Sequence, residues 1–150
     1  MKNIFKKNTS KELIARIEKL TPETQPLWGK MSVSQMMAHC NVAYDMTYTD
    51  KYPKPTGFKK FLIKLFAKNL VVGPKPYKKN MRTAPEFLIT DSRDFEKEKQ
   101  ILIQNIIKTQ ELGEDHFENK ESHAFGPLTS AQWNTLFYKH LNHHLEQFGV

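Results

Sequence analysis

The 150-residue sequence predicts an all-α protein, an antiparallel four-helix bundle with a shorter connecting helix and a long irregular crossover. Three observations lead there. Apolar residues recur at helical spacing, and alternating strand patterns are nearly absent. Two capping boxes, Ser32-Val33-Ser34-Gln35 and Thr129-Ser130-Ala131-Gln132, open two of the helical segments. Proline and glycine gather between the segments, around residues 22–26, 53–57 and 73–86.

The first helix is expected from Thr9 or Ser10 to Leu20, where Leu13, Ile14, Ile17 and Leu20 share a face. The second starts from its cap at Ser32 and carries Met36, Met37, His39, Cys40, Ala43 and Tyr44. A shorter helix follows from Phe58 to about Leu70. Residues 73–86 read as the crossover. A long helix opens near Asp91 or Ser92 and runs to Leu112, with Phe95, Ile101, Leu102, Ile106 and Ile107 on its apolar side and Gly113 as its stop. The last helix begins at the Thr129 cap. There is no internal repeat or low-complexity stretch, so residues 1–150 are taken as one domain.

Composition narrows the function classes. Hydrophobic residues are 39% and charged residues 26%, which is globular and not disordered. No apolar run approaches the ~20 residues of a membrane span. The first residues lack the apolar core of a signal peptide, and a cytoplasmic location is expected. The single cysteine, Cys40, excludes an intrachain disulfide and a cysteine-rich zinc site.

The net charge of +7 is uneven. Residues 1–80 carry 16 basic and 5 acidic side chains, and residues 51–80 hold nine lysines and no acid. Such a block can contact nucleic acid or an anionic membrane. The Phe58, Phe61, Leu62, Leu65 and Phe66 face between those lysines suits a membrane surface too. The ordinary alternative is that the apolar face packs on the bundle and the lysines are solvated. On that reading, neither nucleic acid nor membrane is expected as a partner.

The last helix carries the chemistry. Trp133, Leu136, Phe137, His140, Leu141, His144, Leu145 and Phe148 form one continuous stripe, and His140 and His144 stand in its middle. One helical turn separates them, ~6 Å along the axis, so both imidazoles can reach one ion. Two readings stay open on spacing alone. Each histidine is a core residue with its own hydrogen-bond partner, or the two share a metal. His143 lies ~100° off the stripe and reads as a bystander. Leu141 follows His140, which excludes the His-Glu-x-x-His protease motif. His39 projects to the edge of its helix's apolar stripe and is the candidate third ligand. Gln35, Tyr44, Asp45, His123 and His143 are candidates for supporting or acid–base roles. His116 has no supporting context.

The segment Trp28-Gly29-Lys30-Met31-Ser32-Val33-Ser34-Gln35-Met36-Met37-Ala38-His39 is similar to the second-helix signature of the DinB/YfiT-like superfamily. Tyr138-Lys139-His140-Leu141-Asn142-His143-His144-Leu145-Glu146-Gln147-Phe148 resembles its C-terminal His-x-x-His-His element. The nearest likeness is to an uncharacterised branch with a His-Pro-x-Phe-Gly loop and a His-His-Leu-x-Gln-Phe-Gly ending. Here Ala124 stands next to His123, and the loop reads His-Ala-Phe-Gly. The resemblance covers most of the chain and implies a four-helix bundle, frequent homodimers, and three histidines around a divalent ion, nickel or zinc before others. Transferred by position, the ligands are His39, His140 and His144.

An open three-histidine site leaves room for water or substrate. The resemblance thus implies a metal-dependent transferase, using a low-molecular-weight thiol, or a hydrolase acting on a small molecule. No catalytic acid or base is identified. The alternative is a non-catalytic binding or dimerisation module with a structural or vestigial metal site.

Overall fold

The computed structural model describes every residue from Met1 to Val150. The chain is mainly helical. Its elements are α1 (Lys7–Glu18), α2 (Val33–Tyr48), α3 (Gly57–Val72), a single 3-10 turn (Pro85–Phe87), α4 (Phe95–Phe117), β1 (Lys120–Ser122), β2 (Gly126–Leu128) and α5 (Ser130–Gln147). No helix is long and apolar enough to cross a membrane.

Both capping boxes form. Ser32 Oγ accepts from the Gln35 amide at 3.2 Å, and Gln35 Oε1 accepts from the Ser32 amide at 3.0 Å. Thr129 and Gln132 repeat the exchange at 3.3 and 3.1 Å. Each box satisfies two of the free backbone donors at a helix start, so the start of α2 and of α5 is set locally. Asp94, not Asp91 or Ser92, caps α4 by accepting from the Lys97 amide at 2.8 Å. Gly113 interrupts α4 as expected, with φ +72, but one further turn follows it.

α2 packs most extensively on α4, α1 lies on α4, and α5 touches all four other helices. One buried cluster runs through Ile4, Leu13, Ile17, Met36, Met37, Leu102, Ile106, Phe117, Trp133, Phe137 and Leu141. The buried face of α4 is Phe95, Glu98, Leu102, Ile106 and Thr109, whereas the expected Ile101 is exposed. The periodicity misplaced this face because two of its members are polar. Glu98 is held by Asn41 Nδ2 at 2.9 Å, and Thr109 donates to the Asn105 carbonyl at 2.7 Å. Paired polar groups are tolerated in a core.

Two further differences matter. Residues 120–128 form an antiparallel hairpin pairing Lys120 with Leu128 and Ser122 with Gly126. Ser122 Oγ ties its tip by donating to the Gly126 carbonyl (2.8 Å) and accepting from the Phe125 amide (2.9 Å). α3 (Gly57–Val72) departs from the expected packing. Its Phe58, Phe61, Leu62, Leu65 and Phe66 do not pack on the other helices; all five are exposed. The opposite, narrower face makes the internal contact, with Ile63, Ala67 and Val71 partly covered. The helix is apolar on both sides, and the sequence shows only the stronger stripe.

Candidate metal centre

His39 sits mid-way along α2, and His140 and His144 lie on successive turns of α5. The fold brings all three together, with one ring nitrogen of each within 4.8 Å of the others. Ring centroids are 4.9 Å apart for His39–His140, 4.5 Å for His39–His144 and 4.9 Å for His140–His144. His39 and His144 are buried; His140 is partly accessible from the cavity it lines.

The hydrogen-bond partners dictate which nitrogen is free in two of the three rings. His39 Nδ1 lies 2.8 Å from the Phe87 carbonyl oxygen. A carbonyl only accepts, so Nδ1 of the neutral ring carries the proton and Nε2 keeps its lone pair. His144 Nδ1 lies 2.8 Å from Gln147 Oε1. The Gln147 amide cannot be turned around, because its Nε2 donates to the Trp28 carbonyl at 2.6 Å. His144 therefore also donates from Nδ1 and leaves Nε2 bare. His140 Nε2 faces His39 Nε2 at 2.9 Å. Two bare lone pairs would repel at that separation. One proton on His140 Nε2, or one cation, resolves the contact.

Electrostatics favour neutral rings. Burial pushes all three histidines below their ordinary value, and the neighbouring imidazoles add to the effect on His140 and His144. His144 is pushed down to about 3. Neutral imidazoles with outward Nε2 lone pairs are what a divalent transition metal requires. Nitrogen–metal bonds of ~2.1 Å place neighbouring ligand nitrogens roughly 3–3.4 Å apart, close to the separation found between His39 and His140. That pair has the spacing of two metal ligands, the third ring's nitrogen lies within 4.8 Å of both, and the Phe87 carbonyl and Gln147 supply outer hydrogen bonds of the kind that orient metal-binding histidines.

Above the cluster lies a cavity of about 630 Å³. Met46, Ile63, Leu70, Phe87, Leu88 and Leu136 give it an apolar wall, and Lys59, Lys78 and Arg82 reach its lining against one acid, Glu86. Tyr77 stands edge-on to His140 and His143, at 6.4 and 5.6 Å between centroids.

The other candidates divide. His143 lines the cavity and lies 5.8 Å from Trp28, outside the cluster. His123 lines it from the hairpin tip. Gln35 is engaged in its cap and donates to the Asp91 carbonyl. Asp45 pairs with Lys51 at 2.9 Å. Tyr44 is fully enclosed, stacked 4.9 Å from Phe137, with no partner for its hydroxyl. None of these last three faces the cavity. His116 is exposed. Cys40 is buried core, as expected.

Three positions escaped sequence reasoning. Gln147 is one turn beyond His144, a spacing that signals contact on a helix. Gly29 has φ +85, and a Cβ there would lie 2.6 Å from Gln147 Nε2, so its missing side chain makes room for the clamp. Phe87 acts through its backbone, which leaves no mark in the pattern.

The fold and site define a helical protein with a three-histidine cluster open to an apolar cavity. The chain belongs to a family described as protein of unknown function, DUF1569, whose profile matches residues 5–149. No curated protein and no solved structure matches it.

Proposed function

We propose that the chain is a metal-dependent enzyme of the DinB/YfiT-like kind, a four-helix-bundle variant holding nickel or zinc through Nε2 of His39, His140 and His144. The observation that carries this is the pair of outer hydrogen bonds, from His39 Nδ1 to the Phe87 carbonyl and from His144 Nδ1 to Gln147, which leave Nε2 of both rings bare in a cluster with His140. A His140–His39 hydrogen bond alone would account for two of the rings, whereas a shared ion accounts for all three. The cavity favours an enzyme over a closed structural site, because a structural ion is normally enclosed by four protein ligands.

Bound there, the ion would supply Lewis-acid polarisation and lower the pKa of a coordinated water or thiol. The chain's own residues do the rest. The Phe87 carbonyl and Gln147 hold the ring planes of His39 and His144. Leu70, Phe87 and Leu136 exclude water from an apolar substrate portion. Lys59, Lys78 and Arg82 favour a substrate or thiol bearing an anionic group. Thiol transfer and hydrolysis both suit this arrangement.

Metal analysis of untagged protein tests the reading. Wild type is expected to retain close to one nickel or zinc per chain, and His140→Ala and His144→Ala to lose it. A metal-free wild type whose melting temperature ignores added zinc and nickel overturns it.

A further inference from the structure

The exposed face of α3 has no role in the metal centre. Phe58 and Phe66 are each 74% exposed, Leu65 59%, Phe61 58% and Leu62 36%. At 100° per residue these five side chains fall within an arc of about 140°. Phe58 and Phe61 also stack on each other, 6.3 Å between centroids. This is a contiguous apolar strip of the kind that marks an interaction surface.

The charges beside the strip indicate what covers it. α3 contains Lys59, Lys60, Lys64 and Lys68 and no acid. Only Lys60 meets an acid, Glu121 at 3.2 Å, while Lys68 approaches the Phe125 carbonyl at 3.5 Å. Lys59 stands on one side of the strip, and Lys64 and Lys68 on the other. Lys51, Lys54, Lys75, Lys78 and Lys79 flank the helix in sequence. A second copy of the chain fits poorly, because a two-fold interface sets each surface against itself and would bring lysine-flanked strips together. An anionic lipid surface meets both features. Phenylalanine and leucine enter the acyl boundary, and lysines snorkel to the headgroups.

We propose that α3 is an in-plane docking helix for anionic phospholipid bilayers. Its other face, through Ile63, Ala67 and Val71, lines the cavity. Docking therefore places that cavity one helix diameter beneath the lipid surface.

Co-sedimentation of the full chain with vesicles tests this, using phosphatidylcholine alone and phosphatidylcholine mixed with phosphatidylserine. Wild type is expected to bind the mixed vesicles, weaken as salt rises, and ignore the neutral ones. Phe58→Ser/Phe66→Ser is expected to weaken binding at least ~10-fold with an unchanged melting temperature, as both side chains are in solvent. Lys59→Glu/Lys64→Glu is expected to abolish the preference for phosphatidylserine. Absence of binding, or binding indifferent to the phenylalanine pair, overturns the proposal. So does a dimer in sedimentation equilibrium that the pair converts to monomer, which would make a second copy the occupant. Metal-free and metal-loaded protein are expected to bind alike, so this result and that of the metal analysis are read separately.

Discussion

Gln147 grips His144 and the backbone of Trp28 with the two ends of one amide, accepting at 2.8 Å and donating at 2.6 Å. The bond to Trp28 fixes the amide's sense, and the sense fixes the histidine's tautomer. Gln147→Leu removes both contacts. Loss of such an outer partner commonly costs ~10–100-fold in metal affinity, and chelator competition with zinc is expected to show a loss in that range. Gly29→Ala is expected to act in the same direction by displacing the amide. Unchanged affinity in both variants would mean that the clamp does not orient His144.

Acid should weaken the metal-free fold through the histidines. Each has a folded pKa below its ordinary value, and for His144 it is about 3. Between that value and ~6.5 the unfolded chain binds more protons, so stability is full above ~6.5 and lost as pH falls. The melting temperature of metal-free protein is expected to drop from pH ~7 to ~5, and less steeply in His144→Leu. A parallel drop in that variant would assign the effect to other groups.

The enclosed, unpartnered hydroxyl of Tyr44 leads to a gain. Tyr44→Phe keeps the stack on Phe137 and removes a desolvated polar atom. Stabilisation of about 1 kcal/mol is expected, visible as a rise of a few degrees in melting temperature. A loss of stability would show that the hydroxyl has a partner.

Lys139 adjoins the metal centre in sequence but serves α3. Its Nζ donates to the carbonyls of Leu70, Gly73 and Lys75 at 2.8, 2.6 and 3.2 Å, and burial pushes its amine down to about 8. A cation at the carbonyl end of a helix also matches the helix dipole. Lys139→Met is expected to cost about 2 kcal/mol and to speed amide exchange across residues 69–75. Global destabilisation with exchange there unchanged would refute a local tether.

Where the chain's own pattern is strong, the structure follows it. The Ser32 and Thr129 caps and the one-turn spacing of His140 and His144 are local features, and local features are legible. His39 reaches the cluster only through packing of α2 beside α5, which no periodicity encodes; its projection left it at the edge of a stripe, and the resemblance made it a ligand. The hairpin at 120–128 has strands of three residues, too short for alternation to register. α3 shows a different limit. Its stripe reveals that two faces differ, but not whether protein covers the more apolar one.

His39 and His140 meet across 101 positions of chain. An ion held by both would act on the unfolded polymer as well as on the native site, closing a loop that comprises two thirds of the molecule. A covalent bridge spanning ~100 residues removes enough chain entropy to contribute about 4–5 kcal/mol, and a coordinate bridge acts in the same sense for as long as it survives unfolding. The loaded chain would then behave as a reversibly cross-linked polymer, with a denatured state that is smaller and exposes less surface. Its signature is a shallower denaturant slope, restored by chelation.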